Sequence, residues 1–167
     1  MSNLSVKQKK FIKEDLAEYE LRQLLGAAEL VKFLDVNDGG NLSSLYRDAI
    51  YLHARNLYNF FHGVARNDAS IYEFTNHVFD VSLYILWKKS LHIHVVHIKD
   101  SRSNPIPLLK GKQISDVAID FAEDIKKLWQ EWIDNSGGEL KEMLLDGLNV
   151  ASRQAKDDLK CIEGLNK

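Results

Sequence analysis

A single cysteine, two prolines and no long apolar run set the first limits on this 167-residue chain. One thiol, Cys161, excludes an intramolecular disulfide framework and a thiolate-rich zinc site, which fits a reducing cytoplasm. Pro105 and Pro107 share one stretch, Ser101 to Lys112, and the 9 glycines fall mostly at apparent element ends. Punctuation this sparse favours long helices. No run approaches the ~18 apolar residues that span a bilayer, and the opening MSNLSVKQKKFIKEDLAEYE has basic residues without a following apolar segment. The expectation is a cytoplasmic protein, neither exported nor inserted in a membrane. The charges nearly cancel, 22 Lys and Arg against 24 Asp and Glu, so no global field gathers a polyanion and any such site must be local. No glycine-rich nucleotide loop, Walker motif, helical zincin motif or serine nucleophile elbow occurs, so no cofactor is expected.

What is present reads as one globular unit over residues 1–167, since 45% hydrophobic and 28% charged residues suit a packed domain rather than a disordered chain. Val6 to Val36 repeats apolar residues at helical spacing through Phe11, Ile12, Leu16, Tyr19, Leu24, Leu25, Ala28 and Val31, as one helix or as two with a break near Glu18. Asn37-Asp38-Gly39-Gly40 ends it, and Asn41 or Ser43 caps the next helix. Ile71 to Phe79 reads as a short helix or connector. From Asp80 onward Tyr84, Trp87, Leu91, Val95 and Ile98 suit a helix, although Leu91 to Ile98 also alternates like a strand; the absence of a partner strand favours helix. A surface connector over Ser101 to Lys112 precedes an amphipathic helix carrying Ile114, Val117, Ala118, Phe121, Ala122, Ile125, Leu128 and Trp132. A last helix spans about Glu139 to Ile162, with Gly147 expected to mark a bend. The fold class is therefore all-α, a single-domain bundle of about five helices, with Trp87, Trp129 and Trp132 in its core.

The chemistry concentrates between Asn41 and Val64. At ~100° per residue this stretch sets Tyr46, Ala49, Ile50, His53, Leu57, Phe60, Phe61 and Val64 on an apolar face, and Asp48, Tyr51, Arg55, Asn59 and His62 opposite. Arg55 and His62 are two turns apart, roughly 10 Å of rise, and point the same way. A permanently cationic guanidinium holds phosphate oxygens, and an imidazole, with an ordinary pKa near ~6.5, moves protons. Such a pair can cleave RNA without metal, histidine deprotonating the ribose 2′-hydroxyl and arginine stabilising charge at phosphorus. Asp48, Tyr51 and Asn59 are candidates to orient the pair or contact substrate. His53 reads as a core histidine with a satisfied nitrogen. His92, His94 and His97 form a second cluster; His94 and His97 on a helix, or His92 and His94 on a strand, are an alternative two-ligand metal site lacking a third ligand.

The segment Arg55-Asn56-Leu57-Tyr58-Asn59-Phe60-Phe61, with His94, His97 and Arg102 later, resembles a small uncharacterised bacterial all-helical family carrying Arg-Asn-Leu-x-x-Phe-Phe and His-x-x-His-x-x-x-x-Arg. More distantly, Arg55-Asn56 followed by His62 resembles the Arg-polar-His motif of HEPN domains, which are helical bundles, commonly dimeric, many of them metal-independent ribonucleases of toxin–antitoxin or phage-defence systems. The resemblance implies Arg55 at the scissile phosphate, His62 in proton transfer and Asn56 as polar neighbour; His94, His97 and Arg102 lie outside that motif, and Arg102 stands as a separate candidate for substrate contact. The resemblance also implies RNA or a cognate antitoxin as partner, and a homodimer whose two Arg55/His62 faces share a cleft. The alternative is a non-catalytic helical interaction protein whose polar face is merely solvated.

Overall fold

The computed structural model describes residues 4–37, 43–63, 69–96 and 117–165. Among them every regular element is helical. Three contiguous stretches, Val6–Lys10, Phe11–Leu21 and Arg22–Asn37, run on as one rod, here α1. It is followed by α2 (Ser43–His62), a 3-10 turn (Ile71–Glu73), α3 (Ser82–Val96), α4 (Ala118–Asp134) and α5 (Gly138–Leu165). This is the expected all-α bundle. The stretch whose pattern also allowed a strand is helical through Val96. No helix among the described residues is long and apolar enough to cross a membrane.

A capping box starts α1: the Gln8 backbone N–H donates to Ser5 Oγ at 3.2 Å while the Ser5 N–H donates to Gln8 Oε1 at 3.0 Å. There is no break at Glu18. Phe11–Leu21 instead takes wide π-type turns, in which the Arg22 N–H reaches back to the Ala17 carbonyl. Wide turns advance less rotation per residue, so the buried positions run Ile12, Leu16, Ala17, Leu21 at intervals of four and five. Tyr19, expected in the apolar stripe at α-helical spacing, is thereby carried outward and is 56% exposed.

α2 lies in the middle of the bundle, in contact with α1, α3 and α4. It stops at Gly63, whose φ of 70° is the left-handed conformation that ends helices and whose N–H returns to the Phe60 carbonyl at 3.1 Å. Phe60 and Phe61 enter an aromatic cluster with Phe74, Phe79 and Trp132. Trp87, Trp129 and Trp132 are all core residues. Trp129 Nε1 donates to the Leu144 carbonyl at 3.0 Å, so α4 and α5 are joined by a buried hydrogen bond as well as by apolar packing.

Gly147 serves close approach of helices. A Cβ added there would stand 2.8 Å from the Ala17 Cβ, so α5 crosses α1 where both side chains are minimal. The helical cost of a glycine, roughly 1 kcal/mol against alanine, is set against contact along the rest of that crossing.

Candidate functional site

Side chains of α2 and α1 build the buried end of the site. His53, expected as a satisfied core histidine, is 6% exposed, and its Nδ1 donates to Glu20 Oε2 at 2.7 Å. Asn56 Nδ2 donates to the other oxygen, Oε1, at 3.0 Å. Both oxygens of one carboxylate are thus held across the α1–α2 contact, in a ring of part-buried polar groups. Tyr19 packs edge-on against His53, with ring centroids 5.6 Å apart.

One helical turn along, α3 completes the site with Tyr84. Its hydroxyl donates to Asn59 Oδ1 at 2.6 Å, and its ring stacks on Tyr58 at 5.0 Å between centroids with 9° between planes. Tyr58 is itself fully buried and donates its hydroxyl to Asp124 Oδ2 at 2.7 Å. Burial pushes the Tyr84 phenol above its ordinary value, and the nearby Arg55 cation pulls it partly back. His62 meets the same ring edge-on, 6.2 Å between centroids. Tyr84 is therefore linked to both residues singled out by the sequence, to Arg55 through its charge and a shared groove and to His62 through a ring contact.

Two surface hollows flank Arg55 and Asn59. The first, about 370 Å³, lies between α1 and α2 and is bordered by Asp15, Tyr19, Glu20, Asn56 and Phe60. The second is a broader groove between α2 and α3, about 670 Å³, bordered by Tyr84, Ile85, Lys88 and Lys89. Lys88 Nζ sits 5.6 Å from the Tyr84 ring centroid, within cation–π range. Arg55 is half-buried in the wall common to both hollows, and no carboxylate pairs with it among the described residues. Three cationic side chains consequently face one groove, a local concentration that the net charge of the chain conceals.

The expected site residues separate as follows. Arg55 and Asn59 border the groove with Tyr84, His62 touches the Tyr84 ring but borders neither hollow, and Asn56 turns to Glu20 and the first hollow. Tyr51 departs from expectation: it is 3% exposed and packs its ring edge-on to Phe121, in the core rather than on the polar face. The α2 face that meets α4 is wide enough to claim it, and a tyrosine's ring outweighs its hydroxyl in that choice. Asp48 is half-buried two turns before Arg55 and borders neither hollow. His94 belongs to α3 but its side chain is outside the described residues, as are His97 and Arg102. Among the described residues no group of three or more His, Cys, Asp or Glu is arranged to hold a metal.

Glu20, Tyr84, Lys88 and Lys89 were not singled out by sequence reasoning. Tyr84 reads as one more apolar residue of the α3 stripe, and Glu20 as one of several acids on α1. The single available signal was the Lys88-Lys89 pair beside an aromatic.

No protein-family model matches the chain, and no curated protein or solved structure does either.

Proposed function

We propose that the α2–α3 groove binds the phosphate backbone of single-stranded RNA and cleaves it without metal, as the resemblance of Arg55, Asn56 and His62 to the HEPN motif implies. The observation that carries this reading is Arg55, a cation without a carboxylate partner among the described residues, set in a groove wall with Lys88 and Lys89 alongside. Half-burial raises the energetic value of an anion placed there, because the guanidinium has lost part of its hydration and forms no ion pair among the described residues. Its planar fork suits two phosphate oxygens.

In the cleavage step the His62 imidazole takes the proton of the ribose 2′-hydroxyl. The 2′-oxygen bonds to phosphorus, the bond from phosphorus to the 5′-oxygen breaks, and that oxygen takes a proton from solvent water as it leaves. A 2′,3′-cyclic phosphate and a 5′-hydroxyl result. Arg55 neutralises charge on the non-bridging oxygens, where stabilisation counts most. Asn59, oriented by the Tyr84 hydroxyl, offers its amide nitrogen as a further donor.

A second reading draws on Ile85, which borders the same groove at 60% exposure. An exposed apolar residue beside a charged groove suits a protein partner, an antitoxin or a second copy of the chain, with the groove serving in docking.

The deciding experiment is degradation of a mixed RNA pool by the purified protein in excess chelator, with Arg55→Ala and His62→Ala in parallel. Cleavage lost in both folded variants supports the ribonuclease; no cleavage, or equal cleavage by all three, overturns it and favours the docking reading.

A further inference from the structure

The hollow on the other side of Arg55 differs from the phosphate groove in chemistry. Its border carries two carboxylates, Asp15 and Glu20, so a phosphate entering there would meet like charge. What such a hollow accepts is a neutral, flat group that donates hydrogen bonds. The remainder of its wall suits one: Phe60 and Leu16 are apolar, and Tyr19 stands at the rim with more than half its surface free to stack. Its volume, about 370 Å³, falls in the range of ~300–1,000 Å³ usual for small-ligand sites.

Glu20 is an acceptor in the hollow that is held through both of its oxygens. His53 donates to one of its oxygens at 2.7 Å and Asn56 to the other at 3.0 Å. Glu20 borders the hollow with its side chain 16% exposed, and each of its oxygens has lone-pair capacity for one bond beyond those from His53 and Asn56, enough for a donor pair entering the hollow. Among the nucleobases, guanine has the complementary edge, with N1–H and N2–H adjacent and parallel. Uracil offers one donor on that edge, adenine one amino group, and cytosine one amino group.

We propose, resting on the reading of the α2–α3 groove as an RNA site, that the α1–α2 hollow is a guanine pocket. A nucleotide straddles Arg55: its phosphate lies in the groove with Lys88 and Lys89, while its base turns into the hollow, stacks on Tyr19 and is read by Glu20. Asn56 and His53 are positioning residues that hold the carboxylate. Cleavage is then directed to one base rather than spread along the strand.

The test is binding, separate from cleavage, with fluorescently labelled octaribonucleotides in chelator: all uridine, one central guanosine, or one central inosine, which keeps N1–H and lacks the N2 amino group. Wild type is expected to bind the guanosine octamer about tenfold more tightly than the uridine one, with inosine losing most of that advantage. Glu20→Gln is expected to bring the guanosine-to-uridine ratio near one, and Tyr19→Ala to weaken guanosine more than uridine. Should Glu20→Gln fail to fold, the inosine octamer interrogates the same contact on the unaltered protein. Equal binding of guanosine and uridine octamers by wild type overturns the pocket. So does an inosine octamer bound as tightly as the guanosine one. Arg55→Ala separates the two proposals: uniform weakening of all octamers, with no guanosine preference in wild type, leaves the phosphate groove standing alone. No octamer binding at all overturns both.

Discussion

His53 Nδ1 and Glu20 Oε2 meet at 2.7 Å across the α1–α2 contact, joining the least conspicuous histidine of the sequence to the carboxylate that organises the hollow beside Arg55. The pair belongs equally to the fold and to the candidate site. Its disruption should register in both.

Glu20→Ala leaves the His53 and Asn56 donors without their acceptor in a part-buried setting. The expected loss of stability is about 1–3 kcal/mol in urea unfolding. A double-mutant cycle with His53→Ala checks the assignment, because the coupled pair should lose less together than the sum of the single variants.

Gly147→Ala places a methyl group 2.8 Å from the Ala17 Cβ, which is fixed to helical backbone and has no rotamer to yield. Despite alanine's better helix propensity, the variant should be less stable by about 1–3 kcal/mol through overpacking. Combining it with Ala17→Gly should recover part of the loss, and thermal unfolding of the three variants reads the difference.

Alkaline pH should loosen the bundle through its stacked tyrosines. Burial, reinforced by Asp124, pushes the Tyr58 phenol far above its ordinary value, and burial also raises Tyr84. For groups raised on folding, stability is fully present below the unfolded value near ~10 and is lost as pH rises toward the folded one. By pH 11 the loss from Tyr58 alone should reach about 1.4 kcal/mol, since the unfolded phenol ionises while the folded one does not. Urea titrations between pH 8 and 11 should show that slope in wild type and a shallower one in Tyr58→Phe.

Asp124 is likewise raised, first by burial and against the opposing hydrogen bond from Tyr58. Its contribution is present below the ordinary carboxylate range and lost as pH rises through the raised value. Asp124→Asn keeps an acceptor for the Tyr58 hydroxyl and removes the charge. It should therefore match or exceed wild-type stability at neutral pH and show a flatter profile through the acid range, read by thermal unfolding at several pH values.

Salt dependence should report the cations of the α2–α3 groove. For single-stranded RNA each phosphate contact adds about 0.7 to the slope of log affinity against log salt. Arg55→Ala and Lys88→Ala should each reduce the slope by about that amount in titrations of a uridine octamer. A substitution on the far side, such as Lys156→Ala on the exposed face of α5, should leave it unchanged.

Much of this molecule was local and therefore legible in the sequence. Helical periodicity, scarce proline and the turn glycines determine the helices, and the spacing of Arg55, Asn59 and His62 places them on one side of α2 wherever α2 packs. Burial of the three tryptophans followed from the same periodicity. Tertiary structure decided what those residues face. The π-type turns of Phe11–Leu21 rotate Tyr19 outward and Glu20 onto His53, a change of helical pitch that no ordinary period encodes. Packing of α3 against α2 brings Tyr84 to Asn59 and sets Lys88 and Lys89 beside Arg55. Tyr51 went to the core because the rotation of α2 against α4 depends on both surfaces at once. Periodicity reports which face of a helix is apolar; the identity of the residue across the contact depends on the azimuth and height of a second helix, which only the packed whole settles.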